Sequence, residues 1–161
     1  MNSGEHNYMA GQQYLSQERF DELTAELAEL KTTKRAGIAE RLKTAKEYGD
    51  LSENSEYAEA REEQATVETR IIELEDLLKN AAIMKKAKGG DMVEVGSTIV
   101  VKKAGKEMTY TLVGSYEADP LAGKISDESP LGKAFLKHKV GDKVHVAAPA
   151  GAVMYEIMKI E

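Results

Sequence analysis

The stretch YGDLSENSEY, from Tyr48 to Tyr57, carries three acidic residues and no basic one. Asp50 and Glu53 are three residues apart, and Glu56 follows at the same spacing. Two carboxylates can bind Mg²⁺, but this ion retains several waters and usually needs further acids or substrate phosphates. In two-metal phosphodiester cleavage, one ion activates the attacking water and the other stabilises the leaving oxygen. The acid pair therefore predicts half of a metal site, completed by ligands on another molecule.

The same stretch also has a purely structural interpretation as a turn between two helices. Gly49 suits the left-handed conformation that ends a helix. Asp50 with Glu53 three residues later resembles a capping box, and Ser52 or Asn54 is an alternative cap for the second helix. Capping accounts for one acid and one Ser or Asn, but it does not require the whole set. This interpretation alone predicts that loss of the cap costs about 1 kcal/mol of stability and leaves activity intact.

Arg61 is a further candidate near the turn. Its neighbours at helical spacing include no acid, so no ion pair within the helix is predicted for it. Two interpretations remain open: the guanidinium stacks on Tyr57, or it reaches a phosphate or a partner's carboxylate.

Two long helices are predicted on either side of the turn. From Ser16, the expected N-cap, apolar residues recur at helical spacing, and Gly37 weakens this helix where the pattern changes phase. Each run of about 30 residues spans roughly 45 Å as a helix. Equal lengths and a short connection predict an antiparallel coiled-coil hairpin. The second run has a heptad seam at Ala60, Gln64, Val67, Ile71, Leu74, Leu78 and Ala81.

The first helix changes from acidic to basic along its length. We favour the interpretation that its bases pair with acids of the second helix on a solvated face, and the alternative is a surface that faces a polyanion. The net charge of −6 argues against binding of duplex nucleic acid by the chain alone. The bases in the half nearest the turn are Lys31, Lys34, Arg35, Arg41, Lys43 and Lys46.

The periodicity changes after Ala87. The stretches STIVVKK and EMTYTLVGSY flank a turn at 104–106, and DKVHVAA and AVMYEIMKI flank a turn at 149–151, so two β-hairpins are predicted. Pro130 begins a short helix candidate, PLGKAFLKH. The C-terminal part is therefore predicted to be a small, mainly antiparallel β domain with one short helix, which makes the chain α+β.

Composition restricts the remaining classes of protein. The chain of 161 residues has no Cys, which excludes disulfides and Cys-based zinc or nucleophile chemistry and favours a reducing compartment. Its apolar runs are too short to span a membrane, and its N-terminus lacks the pattern of a secretory signal. We therefore expect a cytoplasmic protein without a membrane partner.

These features together resemble the GreA-type bacterial transcript cleavage factors of the Gre factor family. The resemblance is carried by AKEYGDLSENSEYAEAREEQ, from Ala45 to Gln64, and extends from about Tyr14 to the end of the chain. In the C-terminal part it includes GSTIVV, YTLVGSYEADP and KISDESPLGKAFLKHKVGDKV. The GD-L-x-EN-x-EY core is far more specific than an isolated pair of acids.

The resemblance implies two domains and one partner. Residues 1–13 would be an extension, expected to be disordered, and 14–87 a coiled-coil hairpin with an acidic tip at 49–57. Residues 88–93 would be a linker and 94–161 an FKBP-like docking domain. In the family, the hairpin enters the secondary channel of bacterial RNA polymerase and approaches the nascent RNA 3′ end, while the FKBP-like domain docks at the channel entrance. A monomer is expected.

The resemblance also assigns roles to individual residues. The essential tip acids correspond to Asp50 and Glu53, which would help to hold the second Mg²⁺ of the polymerase active site and orient the attacking water. The chain would then be no enzyme itself and have no cofactor of its own, sharing Mg²⁺ with the polymerase. The other assignments are tip support for Asn54, Tyr57 and Arg61, and polymerase docking for Asp119, Ser129 and Pro130.

The predicted function is stimulation of the polymerase's intrinsic cleavage of backtracked RNA 3′ ends, which rescues arrested complexes. The moderate basic content of the first helix is more typical of the GreA than of the GreB type. One alternative is an inhibitor that occupies the secondary channel without stimulating cleavage. A chaperone-like hairpin is the alternative from another class, but it would need a more apolar tip than Leu51 and two Tyr provide.

Overall fold

The computed structural model describes residues 12–50, 54–85 and 90–161. The chain divides into two compact units. One is the helical hairpin, Glu18–Asn80, and the other combines the described residues up to Gln17 with Ala81–Glu161. Within these ranges no helix is long and apolar enough to cross a membrane.

The hairpin consists of helices α1 (Gln17–Glu29), α2 (Arg35–Glu47) and α3 (Ser55–Asn80). Its predicted seam is confirmed, because the α3 residues Ala60, Val67, Ile71 and Leu74 are all buried. Toward the base of α3 the buried residue is Leu77, whereas Leu78 is half-buried.

The phase change in the first helical run comes from a turn of π-helix at Leu30–Lys34, between α1 and α2. A π-helical turn takes up extra residues, so the seam continues one position later, at Ile38 and Ala45. From the sequence, Gly37 was predicted to weaken the helix where the pattern changes phase. Gly37 lies within α2, and a Cβ added there would meet nothing within 4 Å. The π-helical turn, rather than the glycine, therefore resets the phase.

The base of the hairpin differs from the prediction that it extends over 14–87. Strand β1 (Gln13–Leu15) pairs in parallel with β2 (Ala81–Ile83). The side chain of Leu15 is fully buried, and a Cβ on Gly114 would lie 1.9 Å from the carbonyl oxygen of Tyr14. Long-range contacts thus make β1 and β2 part of the second unit, and Ala81 begins a strand instead of extending the α3 seam.

The C-terminal unit contains a five-stranded sheet in the order β5-β4-β3-β7-β6, with only the β4–β5 pair parallel. Both predicted hairpins are confirmed, with β3 joined to β4 at 104–105 and β6 joined to β7 at 149–150. At the first turn, Ala104 and Gly105 have φ of 48° and 81°, as a tight hairpin turn requires. The strands are β3 (Thr98–Lys103), β4 (Lys106–Val113), β5 (Lys124–Ser126), β6 (Lys143–Ala148) and β7 (Gly151–Ile160).

Helix α4 (Pro130–Phe135) covers the core face of this sheet, so the predicted short helix is confirmed but ends earlier than expected. Phe135 is fully buried, with its ring centroid 5.4 Å from that of Tyr155 in an edge-on arrangement. Val93 also lies fully buried in this core, and its N–H donates to the carbonyl of His138 at 2.8 Å. The ordered domain therefore includes a residue that the sequence analysis assigned to the 88–93 linker.

Candidate functional site

The hairpin tip begins where α2 ends. The N–H of Tyr48 donates to the carbonyl of Ala45, and that of Gly49 donates to the carbonyl of Lys46. Gly49 has φ of 106°, a conformation that residues with a side chain rarely adopt, so its predicted role in ending the helix is confirmed. Asp50 follows immediately and is exposed to solvent. The other predicted tip acid, Glu53, lies outside the described residues.

Asn54 joins the two helices at the tip. Its side-chain Oδ1 accepts from the N–H of Tyr57 at 3.2 Å, which is the N-cap bond of α3. Its Nδ2 donates to the carbonyl of Ala45 at 2.9 Å, near the end of α2. Of the caps weighed from the sequence, Asn54 is the one used, and a capping box built on Asp50 is wrong because α3 begins only at Ser55. Asn54, rather than Asp50, therefore fills the N-cap position of α3.

The two bonds of Asn54 predict different costs for two substitutions. Asn54→Ala loses both bonds and should lower the free energy of unfolding by about 1–2 kcal/mol. Asn54→Asp keeps the acceptor for the cap bond but cannot donate to the Ala45 carbonyl. This variant should therefore also be less stable than wild type, although Asn and Asp are usually equally good N-caps. Urea unfolding followed by helical circular dichroism measures both, with Asn80→Ala as an exposed control. An Asn54→Asp variant as stable as wild type would show that the Ala45 bond contributes nothing.

The third acid of the stretch, Glu56, is part of the hairpin's own ion-pair system. Its Oε1 accepts from Nε of Arg41 at 3.0 Å across the two helices, and Arg41 also pairs with Glu63. The hydrogen bond that Arg41 donates to Glu56 is the main cause that raises the pKa of Arg41 above its usual value. The structure therefore separates the acids: Glu56 links α3 to α2, and Asp50 lies beyond the helix ends.

Most bases of the first helical run pair across the hairpin, as the favoured interpretation predicted. Lys31 lies 2.6 Å from Glu75, and Arg35 donates to both carboxylate oxygens of Glu68 at 2.7 and 2.6 Å. The hydrogen bond from Arg35 lowers the pKa of Glu68. Lys34 and Arg41 also pair with acids of α3. These four bases are thus accounted for by the hairpin itself.

Lys43 and Lys46 are different from the other bases. Neither has an ion pair with any residue that the structure describes. Both line an open groove between α2 and α3, together with Ala39, Leu42, Glu47 and Gln64. Of the bases that could form a surface facing a polyanion, only Lys43 and Lys46 are therefore without an ion pair in the described ranges. Both lie within two helical turns of Asp50.

The remaining tip residues have modest intramolecular roles. Tyr57 is half-buried on the first turn of α3. The exposed Arg61 donates to Oε1 of Gln64 at 2.6 Å, one turn further along. Because that acceptor is neutral, the bond leaves the charge of the guanidinium uncompensated. Arg61 is thus a cation near the tip, as the sequence predicted, with a hydrogen-bond partner that the sequence analysis did not identify.

The predicted docking residues lie at the two ends of β5. Asp119 Oδ1 accepts from the N–H groups of Leu121 and Ala122 at 3.1 and 3.3 Å, and its own N–H donates to the carbonyl of Lys124. Ser129 Oγ accepts from the N–H of Gly132 at 3.0 Å and so caps α4. Two of the three predicted docking side chains therefore shape the loops that carry them. Pro130, the third, is exposed at the first position of α4.

The donor set at the tip is suited to an incomplete cation site. A carboxylate such as that of Asp50 supplies the hard oxygen ligands that Mg²⁺ prefers. In the three described ranges, no group of three or more His, Cys, Asp or Glu side chains is placed to hold a metal ion. A metal at Asp50 would therefore need ligands from Glu53, from substrate or from a partner.

Both parts of the chain match descriptions of known families. Residues 13–83 match "Transcription elongation factor, N-terminal", and residues 86–161 match "Transcription elongation factor, GreA/GreB, C-term". Proteins named "Transcription elongation factor GreA" in Thermoanaerobacter pseudethanolicus and Bacillus velezensis are 50% and 46% identical to this chain. Each comparison covers 91% of this chain, and 95% and 94% of those proteins respectively. The crystal structure of Thermus aquaticus Gfh1 is 29% identical, with coverage of 94% of this chain and 99% of that one and a TM-score of 0.43.

Proposed function

The chain belongs to the GreA/GreB family of transcription elongation factors, and from this premise we propose that it enters the secondary channel of bacterial RNA polymerase. There it stimulates the polymerase's own cleavage of backtracked RNA 3′ ends, so that arrested complexes resume elongation. The chain has no nuclease activity by itself. It acts as a monomer in the cytoplasm, where transcription occurs in bacteria.

The observation that carries this proposal is the placement of Asp50. An exposed carboxylate lies at the end of a hairpin whose second helix has 26 residues, hence about 39 Å of length. Asn54, not Asp50, caps that helix, and Glu56 rather than Asp50 pairs with Arg41. The tip acid is therefore not needed for either structural role that its neighbours fill. A long helical support is explained if the carboxylate must reach a centre buried inside a partner.

The chemistry proposed for the tip is donation of ligands in trans. Asp50, together with Glu53, would help to hold the loosely bound second Mg²⁺ of the polymerase and to orient the attacking water. When bound, that ion supplies the charge that activates the water or stabilises the leaving oxygen. The ion belongs to the shared centre, because the described part of the chain offers too few ligands to hold one alone.

The C-terminal unit is proposed to dock at the channel entrance through the loops at the ends of β5. Asp119 and Ser129 fix the shapes of these loops by hydrogen bonds, and exposed positions next to them, Leu121 and Pro130, are available to a partner. Docking of this unit keeps the chain on the polymerase while the tip enters the channel. Lys43 and Lys46, which lack ion pairs within the described ranges, can then lie near RNA phosphates.

The test uses purified protein and halted elongation complexes with labelled RNA. Addition of the protein should shorten the RNA from its 3′ end and restore elongation after nucleotides are supplied. Naked RNA incubated with the protein and Mg²⁺ should remain intact. Halted complexes whose RNA is not shortened would contradict the proposal, and slowed synthesis without shortening would indicate the inhibitor alternative.

A further inference from the structure

Tyr48 is the most exposed aromatic residue in the described part of the chain. Its exposed fraction is 83%, compared with 49% for Tyr116 and 7% for Tyr155. Its side chain makes no hydrogen bond or ring contact with the residues that the structure describes. It lies two positions before Asp50, at the end of α2.

The fold gives no reason for an aromatic ring at this position. Tyr48 has φ of −82° and ψ of 2°, which most residue types adopt, and Gly49 supplies the unusual backbone conformation of the turn. The seam ends with Ala45 and Ala60, which are both buried, whereas the Tyr48 side chain lies outside the seam in solvent. A polar residue would be expected to serve equally well in an isolated hairpin.

The backbone that carries the ring is nevertheless held in place. The N–H groups of Tyr48 and Gly49 both donate to carbonyls of the last turn of α2, and Asn54 ties that turn to α3. The Cα atoms of Tyr48 and Asp50 can be at most about 7 Å apart, because two peptide units separate them. The ring is therefore presented next to the carboxylate that the proposed function brings to an RNA phosphodiester.

Unpaired nucleobases are recognised mainly by stacking on exposed aromatic side chains. A backtracked RNA 3′ end has left its template, so its bases are unpaired at the place where the tip arrives. We propose that the Tyr48 ring stacks on an unpaired base of the RNA 3′ segment that is removed, and so holds the RNA beside Asp50. This inference rests on the proposed function and adds a substrate contact to it. Purines should be favoured over pyrimidines, since they offer the larger stacking surface.

The experiment compares wild type, Tyr48→Ala and Tyr48→Phe on halted complexes whose extruded 3′ nucleotide carries a purine or is abasic. On the purine RNA, Tyr48→Ala should lower the cleavage rate at subsaturating factor by about 5- to 20-fold, and Tyr48→Phe should retain wild-type rates. On the abasic RNA, the three proteins should differ by less than about twofold, because no base is left to stack. Tyr116→Ala is the matched control for loss of an exposed ring from the other unit, and circular dichroism checks the helices.

The two RNAs separate the possible outcomes. If Tyr48→Ala is equally impaired on both, the ring contacts polymerase protein and this inference is overturned. Equal activity of all variants on the purine RNA would overturn it as well. In both cases wild type still stimulates cleavage and the proposed function stands. A wild-type protein that stimulates cleavage of neither RNA would instead refute the proposed function, and this inference with it.

Discussion

Asp50→Asn is expected to lower stimulated RNA cleavage by at least about 100-fold, because even changes outside the direct ligands of a metal cost 10- to 100-fold. Asparagine has nearly the shape of aspartate, and α3 is capped by Asn54, so the hairpin should fold normally. The variant should still dock, since the proposed docking loops lie in the other unit. Cleavage of labelled RNA in halted complexes measures the first effect, and competition against wild-type protein measures the second.

Glu56→Gln provides the matched control for this substitution. It removes a carboxylate from the same short stretch, but one that pairs with Arg41 at an exposed position. Exposed ion pairs contribute about 1 kcal/mol or less, so the variant should remain folded and cleavage should stay within about threefold of wild type. Equal losses for Asp50→Asn and Glu56→Gln would mean that tip charge in general, rather than one positioned carboxylate, is responsible.

Shortening the hairpin should abolish stimulation without abolishing docking. Deletion of 36–42 together with 63–69 removes one heptad from each helix and retracts the tip by about 10 Å. The seam should stay in phase, because Ile38 and Ala45 are one heptad apart, as are Ala60 and Val67. A carboxylate displaced by 10 Å cannot reach the same centre, so cleavage should fall to the level without factor. Competition with wild type should show that the shortened protein still binds polymerase.

Replacing the same two heptads, rather than removing them, is the control for this deletion. The replacement keeps the buried residues of the seam and changes only exposed positions, so length is preserved and stimulation should be largely retained. Circular dichroism verifies that both proteins are helical. Cleavage by the shortened protein within tenfold of wild type would refute the view that the helices are long in order to reach.

Local patterns in the sequence were sufficient for much of this architecture. The α3 seam, the two C-terminal hairpins and the start of α4 at Pro130 were all predicted, because each depends on neighbouring residues and on turn chemistry. The pairing of the first-helix bases with α3 was also predicted, since an antiparallel hairpin places them opposite acids. The family resemblance, carried by the GD-L-x-EN-x-EY core, predicts that the tip is the functional site.

Some features of the structure could not be predicted from the sequence, because they depend on residues that are far apart in the chain. Strands β1 and β2 have three residues each, too short for a β-pattern. They pair with each other across the chain, and the backbone of Tyr14 lies close to Gly114. The π-helical turn has no strong sequence signal, so the sequence indicated the change of phase only near Gly37 and not its cause. From the sequence, Asn54 was only one of several candidate caps. Its second hydrogen bond, to the carbonyl of Ala45, can be recognised only once the position of that carbonyl is known. That Glu56, rather than the other acids of the stretch, links α3 to Arg41 of α2 was likewise visible only in three dimensions.

The most direct test of the account is the Mg²⁺ dependence of stimulated cleavage by wild type and Asp50→Asn on the same halted complexes. If Asp50 helps to hold a shared ion, the variant should need at least about 10-fold more Mg²⁺ for half-maximal cleavage. The slow cleavage without any factor provides the baseline for the polymerase alone. Identical Mg²⁺ requirements for wild type and variant, whatever their rates, would contradict the claim that this hairpin completes a metal site in trans.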